Sequence, residues 1–119
     1  MTVMDAIQTA DALRPNMYDD QVKMEWLREL DGRIKAEILN SHEGFDESIS
    51  LNGAGDRELL VKEPYTEMYI YWLFMKIDYM NGETDRFNND ALMHNTAWLN
   101  YANYVNRTHM PKGTALKSV

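Results

Sequence analysis

The side chains able to do chemistry are few and scattered. The three histidines, His42, His94 and His109, stand far apart along the chain. None has a Glu or His three or four residues away, the spacing that sets two metal ligands on one helix face. His94 falls on an apolar helical stripe, where a hydrogen-bonded core imidazole is expected rather than a ligand. There is no cysteine, which excludes disulfides, thiolate zinc sites and cysteine nucleophiles. No Gly-x-Ser-x-Gly turn occurs, and no hydroxyl stands near an obvious base. Glu43 and Glu47 could be brought together as an acid–base pair, yet a solvated charge run is far commoner. The run Asn52-Gly53-Ala54-Gly55-Asp56 lacks the Lys-Ser/Thr that leads a phosphate-binding loop into its helix. These residues give no positive support to an enzyme, and no cofactor or metal is expected.

Binding is the remaining chemistry. Thirteen Tyr, Trp and Phe residues and nine Met are present, the aromatics mostly between residues 65 and 104. A stacking platform for single-stranded nucleic acid interleaves aromatics with cations, and here only Lys76 and Arg86 lie among them. Core packing and a subunit interface account for the aromatics better. Lys plus Arg number 12 against 19 Asp plus Glu, a net charge of −7, so a wide footprint on duplex phosphates is not expected. The charge is uneven. Residues 1–63 carry seven bases and fourteen acids, while the last fourteen residues carry Arg107, Lys112 and Lys117 and no acid. A basic tail behind an acidic body suits docking onto an acidic surface, and an untethered terminus is the bland alternative. The first residues lack a basic stretch followed by an apolar one, so a cytoplasmic origin is expected.

The elements that must position these residues follow from periodicity. With 119 residues and 45% hydrophobic composition, the chain suits one soluble domain. Thr2 with Asp5 makes an N-terminal cap, and Val3, Ala6, Ile7, Ala10 and Leu13 mark a short helix closed by Pro15. A second helix is expected over residues 19–40, with Val22, Trp26, Leu30, Ile34 and Ile38 on its apolar stripe and Leu27 thickening it. Its solvent face is expected to pair Asp19 with Lys23, Glu29 with Arg33 and Asp31 with Lys35. Gly32 interrupts it, a tolerated mid-helix glycine that close approach of a neighbouring helix would explain. Residues 42–63 read as a β-hairpin: Ile49 and Leu51 alternate with serines, the glycine-rich turn follows, and Leu59-Leu60-Val61 forms the return strand. Pro64 opens a third helix through Asn81, stopped by Gly82, with twelve of the seventeen residues from Tyr65 on apolar or aromatic. Too short and too charged for a membrane, it reads as a central helix with apolar surface left over for other subunits. A fourth helix runs from Thr84 or Asp85 to about Thr108, with Phe87, Ala91, His94, Trp98, Tyr101 and Val105 on one face, widened by Leu92, Leu99 and Ala102. Six asparagines, among them Asn100 and Asn103, give it a polar, uncharged face suited to a wet contact or to solvent.

The fold class expected is mainly α: a bundle of about four helices with a hairpin inserted between the second and third. Residues 1–109 form the domain and residues 110–119 a basic tail. Subunit-interface candidates are Tyr69, Trp72, Leu73, Met75, Met80, Asn100 and Asn103. Ile49, Leu51, Leu59 and Val61 are the hairpin's contact residues.

The order of elements carries a resemblance. Trp26-Leu27-Arg28-Glu29-Leu30-Asp31-Gly32-Arg33-Ile34 on the long helix is followed by the variable hairpin, Glu58-Leu59-Leu60-Val61 and Pro64-Tyr65. Then come Lys76-Ile77-Asp78-Tyr79, Tyr101-Ala102-Asn103-Tyr104 and Asn106-Arg107-Thr108-His109-Met110-Pro111. From Met4 to Gly113 the chain resembles the small neck proteins of tailed phages and prophages, the head–tail connector or head-completion adaptor family. That resemblance implies a helical subunit in a homo-oligomeric ring, about twelve copies beneath the portal protein, located in the virion neck after synthesis in the host cytoplasm. It implies that the C-terminal segment reaches the portal, which here maps onto Arg107, His109, Met110, Lys112 and Lys117. It implies that the residue 42–63 segment meets a neighbouring subunit or the tail-side neck or stopper protein. Double-stranded DNA would pass through the ring without sequence recognition, and the acidic body suits a channel to which phosphates must not stick. No membrane is involved. A small acidic protein-binding regulatory module, recognising its partner through the acidic face at Glu25 and Glu29, is the alternative.

Overall fold

The computed structural model describes residues 1–113; residues 114–119, Lys117 among them, lie outside the described residues. Four α-helices follow in order: α1 (Val3–Leu13), α2 (Asp20–Ile34), α3 (Glu67–Asn81) and α4 (Thr84–Thr108), with α2 continuing as a π-helical turn over Lys35–Leu39. A mainly helical bundle is what the periodicities predict.

The cap of α1 forms as its sequence requires. The Asp5 amide donates to Thr2 Oγ1 at 3.1 Å, and the Thr2 amide donates to Asp5 Oδ2 at 2.9 Å. Hydrogen bonding from the Thr2 amide, and then from the Thr2 side chain, holds the Asp5 carboxylate below its ordinary pKa. Val3, Ala6, Ile7 and Ala10 form the buried face, the i, i+3, i+4, i+7 spacing of an amphipathic helix.

The β-hairpin does not form. Among the described residues there is no strand, only isolated bridges between Thr2 and Glu58 and between His42 and Pro111. Residues 40–66 are instead a long irregular segment whose polar groups are satisfied by other elements. The Arg57 carbonyl accepts from the Val3 amide at 2.9 Å and the Gly55 carbonyl from the Met4 amide at 2.8 Å. Both are first-turn amides of α1, which have no partner within their own helix. The glycine-rich turn is therefore a cap for α1. A Cβ at Gly55 would lie 3.0 Å from Met4 Cε and 3.2 Å from Met4 Cβ, so a side chain there would press on Met4.

Helix α2 is rotated from the expected face. Lys23, Leu27, Leu30, Asp31 and Ile34 are buried, whereas Val22 is exposed and Trp26 half-buried. Two of the residues expected on the solvent face, Lys23 and Asp31, thus lie inside. Lys23 Nζ reaches Asp11 of α1 at 2.8 Å rather than Asp19. Asp31, with no exposed surface, accepts from Tyr69 Oη on α3 at 2.6 Å, from the Arg57 guanidinium at 2.8 Å and from the Leu60 amide at 3.4 Å. Arg33 pairs with Glu37 at 3.0 Å and Lys35 donates to the Ile49 carbonyl at 2.8 Å, so none of the three expected i, i+4 pairs is the one formed. At Gly32 the near neighbour is Leu51 of the irregular segment, 3.8 Å from the Cβ position, and not a helix.

Helix α3 is the central element and packs most extensively on α4. Met68, Tyr69, Trp72, Leu73, Phe74 and Ile77 are buried, and Trp72 Nε1 donates to the Trp26 carbonyl at 2.7 Å. Pro64 follows a cis peptide bond and precedes the helix instead of opening it, since α3 begins at Glu67. Gly82 stops α3 in the left-handed conformation, φ 73°, its amide donating back to Asp78 and Tyr79 carbonyls. On α4 the buried set is Asp90, His94, Ala97, Tyr101 and Val105, while Leu92 and Leu99, expected to widen that stripe, are exposed.

The Asp31 carboxylate makes a sharp test of this arrangement. Asp31→Ala strands the Arg57 guanidinium and the buried Tyr69 hydroxyl, and is expected to cost about 3–5 kcal/mol in urea unfolding. Tyr69→Phe, which removes only the hydroxyl, is expected to cost about 1–3 kcal/mol by the same measurement.

Candidate functional site

The residues expected to dock a partner converge where the C-terminal half of α4 meets the irregular segment. Two ring stacks shape the surface there. Phe45 lies on His109 with centroids 4.2 Å apart, and Tyr65 lies on Tyr104 at 4.8 Å and tilts against Tyr101 at 5.7 Å. Between them runs a groove of about 410 Å³, floored by these rings and Leu60 and edged by Lys62 and Glu63. Burial of Tyr101 in its wall pushes the phenol up to about 12. On the other side of Tyr65 a second groove, about 320 Å³, is lined by Glu67, Ala97, Asn100, Asn103 and Arg107. Aromatic faces bordered by amides and one guanidinium can seat a peptide by stacking and neutral hydrogen bonds.

The backbone beyond α4 is fixed beside these grooves. The Glu43 amide donates to the Met110 carbonyl at 2.8 Å, and the Lys112 amide donates to the Ser41 carbonyl at 2.9 Å. Lys112 Nζ forms an ion pair with Glu47. Hence Glu47 is tied to the basic segment, and Glu43 to its backbone. His42 organises the joint: its Nδ1 lies 2.7 Å from the Ile38 carbonyl and its Nε2 2.6 Å from Asn106 Oδ1. The π-helical turn just before it lets the Lys35 carbonyl accept from the Asn40 amide, leaving the Ile38 carbonyl turned toward Ser41 and His42.

Of the portal-docking set, Arg107, Met110 and Lys112 are exposed, and His109 is half-buried in its stack on Phe45. Asn100 and Asn103 are exposed and share the second groove with Arg107. The remaining interface candidates divide. Tyr69, Trp72 and Leu73 are buried within a single chain and offer no surface to a neighbour, because the irregular segment, α2 and α4 already cover them. Met75 is half-buried and Met80 exposed. Leu59 and Val61 are likewise core residues, with Ile49 and Leu51 half-buried above Lys35 and Gly32. His94 is a core imidazole, its Nδ1 3.0 Å from the Met68 carbonyl and its pKa lowered by burial. Glu25 and Glu29 are exposed and paired, with Arg28 at 3.1 Å and Lys76 at 3.4 Å.

A second surface was foreseen only at Met80. Leu13, Met17, Tyr79 and Met80 are exposed at the opposite end of α3, Met17 completely so. Tyr18 Oη bonds to Asn81 and Arg14 to Asp78, which holds the α1–α2 connector beside the end of α3. The signal available in the sequence was Leu13 and Met17 flanking Pro15, which periodicity assigned to a helix end. The groove's rings were also missed as a group, since only Tyr101 and Tyr104 are near in sequence.

No group of three or more metal-ligating side chains occurs among the described residues. Nor, among them, is any helix long and apolar enough to cross a membrane.

Gly44 tests the ring stack. It has φ 93°, and a Cβ there would lie 2.9 Å from His109 Cδ2. Gly113 has φ 75° with nothing within 4 Å of its Cβ position, so Gly113→Ala measures backbone strain alone. Gly44→Ala is expected to lower stability by about 1–2 kcal/mol from backbone strain and by more from displacing His109. Urea unfolding of both variants gives the difference.

Comparison of this chain with protein-family models, with curated proteins and with solved structures returned no match.

Proposed function

We propose that the protein is a structural virion component, a head–tail adaptor whose copies form a ring, of about twelve, between portal and tail. The observation that carries this reading is the set of large apolar side chains left in solvent: Leu13, Met17, Tyr79 and Met80 at one end, Leu92 and Leu99 along α4, and Met110 at the other end. Scattered exposed hydrophobics are ordinary, but a group gathered at one end of a bundle marks a contact.

The two candidate surfaces differ in chemistry and lie at opposite ends of α4. That helix has 25 residues, about 37 Å of rise. Tyr79 meets Phe87 near its start, and the groove's Tyr101 and Tyr104 lie near its end. A patch that meets a different patch on its neighbour is a heterologous contact, and such contacts close into rings when the rotation permits. In this reading Met75 and Met80, with Asn100 and Asn103, contribute to subunit contacts. Arg107, His109, Met110, Lys112 and Lys117 dock the portal, and residues 40–66 face a neighbour or the tail-side neck protein. The chain's net charge of −7 keeps the channel wall from holding the DNA that passes it.

Light scattering and particle imaging of the chain mixed with the portal protein of the same genome test the proposal. Rings stacked on portal are expected; a chain that stays strictly monomeric with portal present would overturn it. The triple substitution Met17→Ser, Tyr79→Ser, Met80→Ser alters exposed side chains, so stability should change by no more than about 0.5 kcal/mol per site while ring formation is lost. Charge reversal at Arg107 and Lys112 should weaken portal binding and shift its salt dependence.

A further inference from the structure

The grooves beside α4 hold more hydrogen-bonding capacity than the chain uses. Tyr101 is the sharpest case. It is 6% exposed, and its hydroxyl has no hydrogen-bond partner among the described residues. Every fully buried side-chain polar atom among those residues is bonded, so this oxygen must touch the open groove that Tyr101 helps to line. Burial raises its pKa to about 12, which keeps the phenol protonated and able to donate. The hydroxyls of Tyr65 and Tyr104, the carboxamides of Asn100 and Asn103 and the guanidinium of Arg107 are likewise without a partner among the described residues.

The two grooves meet at Pro64 and Tyr65, which line both. Along α4 the lining runs from Ala97 to Arg107, about 15 Å of helix rise. Ring faces of Tyr65, Tyr101 and Tyr104 form the floor, with Phe45 stacked on His109 beside them. The charges at the edges are answered within the chain. Lys62 lies 3.7 Å from Glu58, and Glu63 lies 3.1 Å from the N-terminal ammonium. Glu67 stands in the first turn of α3 and Arg107 in the last turn of α4, each opposite in sign to its own helix end. Two positive and two negative side chains thus cancel, and the electrostatic complement of this trough is a segment without net charge.

A good occupant is rich in acceptors, poor in donors and apolar in its side chains. A polyproline II segment has these properties: its carbonyls are unbonded, its prolines lack an N–H, and its rings pack on aromatic faces. At 3.1 Å per residue, about five residues cover the trough. We propose that the trough docks an extended, proline-rich segment of another protein, its proline rings on the tyrosine faces and its carbonyls accepting from the phenols, the two carboxamides and Arg107. A second copy of this chain does not supply that segment, because its three prolines, Pro15, Pro64 and Pro111, stand far apart and Pro64 already forms part of the wall. Ring formation is not needed for such docking. The segment leaves the apolar end of α3 uncovered, and the carboxamide oxygens of Asn100 and Asn103 remain to accept from a neighbouring copy.

An NMR titration of the intact chain with three blocked peptides of equal length tests this. One is built of Pro-Pro-Leu repeats, one is rich in Asp and Gly, and one copies residues 110–119. The proline-rich peptide is expected to shift the ring resonances of Tyr65, Tyr101 and Tyr104 and the side-chain amides of Asn100 and Asn103, saturating with a Kd of about 1 mM or tighter. Tyr101→Phe and Asn103→Ala should each weaken that binding by about 2-fold to 10-fold, the range of one net hydrogen bond. Asn103 is exposed, so Asn103→Ala should keep the parent's melting temperature and carries the comparison should Tyr101→Phe fail to fold. A proline-rich peptide that gives no saturable shift, or shifts residues away from the trough, would overturn the proposal. So would tighter binding of the acidic peptide or of the copied segment. A chain that binds the peptide yet forms no ring with portal overturns the adaptor reading alone, and rings without peptide binding overturn only the docking of this segment.

Discussion

The architecture depends on one carboxylate. Asp31 sits on α2 without solvent exposure and receives three donors, from α3 through Tyr69 and from the irregular segment through Arg57 and Leu60. A buried carboxylate is costly unless its oxygens are bonded and its charge compensated, and here both conditions hold. The same carboxylate, after burial itself, keeps the Tyr69 phenol well above its ordinary pKa, so the hydroxyl remains a donor to Asp31 while accepting from the Val61 amide at 2.9 Å. Consequences extend to α1. Arg57, held by Asp31, presents its own carbonyl to the Val3 amide, and Gly55 nearby serves Met4. The position of the first helix is therefore set partly by a carboxylate on the second, relayed through a segment with no regular structure.

Ionic contacts carry unusual weight in joining α1 to the bundle, and its size explains why. The buried face of that helix is Val3, Ala6, Ile7 and Ala10, two of them alanines that bury little area. Asp11 bonds to Lys23 on α2, and Arg14 reaches α3 and α4. Apolar contact is tolerant of rotation and sliding, whereas a buried ion pair is satisfied in one arrangement only. The two together fix register where hydrophobic area alone would leave it loose. Every buried side-chain polar atom among the described residues has a hydrogen-bond partner, consistent with a core that admits charge only with its counterpart.

The surface is built from what the core did not absorb. Helix α3, apolar nearly all round, is largely covered through Ile77 by α1, α2, α4 and the irregular segment, with Ile70, Tyr71 and Met75 half-buried; the large apolar side chains of its final turn, Tyr79 and Met80, are exposed. At the other end the rings of Tyr65 and Tyr104 stand half-covered against the buried Tyr101, beside a backbone stapled to residues 41–47. The greasy central helix thus hides most of itself within one chain, and its end and the α4 grooves are left as apolar and aromatic surface.

Local chemistry made four helices legible. The capping box at Thr2 and Asp5, the stripe of α1, the Gly82 stop and the full extent of α4 are set by hydrogen bonds and side chains within a few residues of one another. What could not be read were partners distant in sequence. Alternation at Ile49 and Leu51 resembles a strand, but the carbonyls of the following turn bond to the first turn of α1, and Leu59 and Val61 enter the core. Lys23 and Asp31 look like solvent residues on α2 because their partners, Asp11, Arg57 and Tyr69, lie 12, 26 and 38 positions away. Of the residues that line the α4 grooves, Arg107, His109, Asn100 and Asn103 were named from sequence, while the rings beside them, Phe45 and Tyr65, come from another part of the chain. Periodicity reports which face a helix prefers to bury; only the folded chain decides which charges that face takes inside, because a charge can be buried only where a distant partner arrives to meet it.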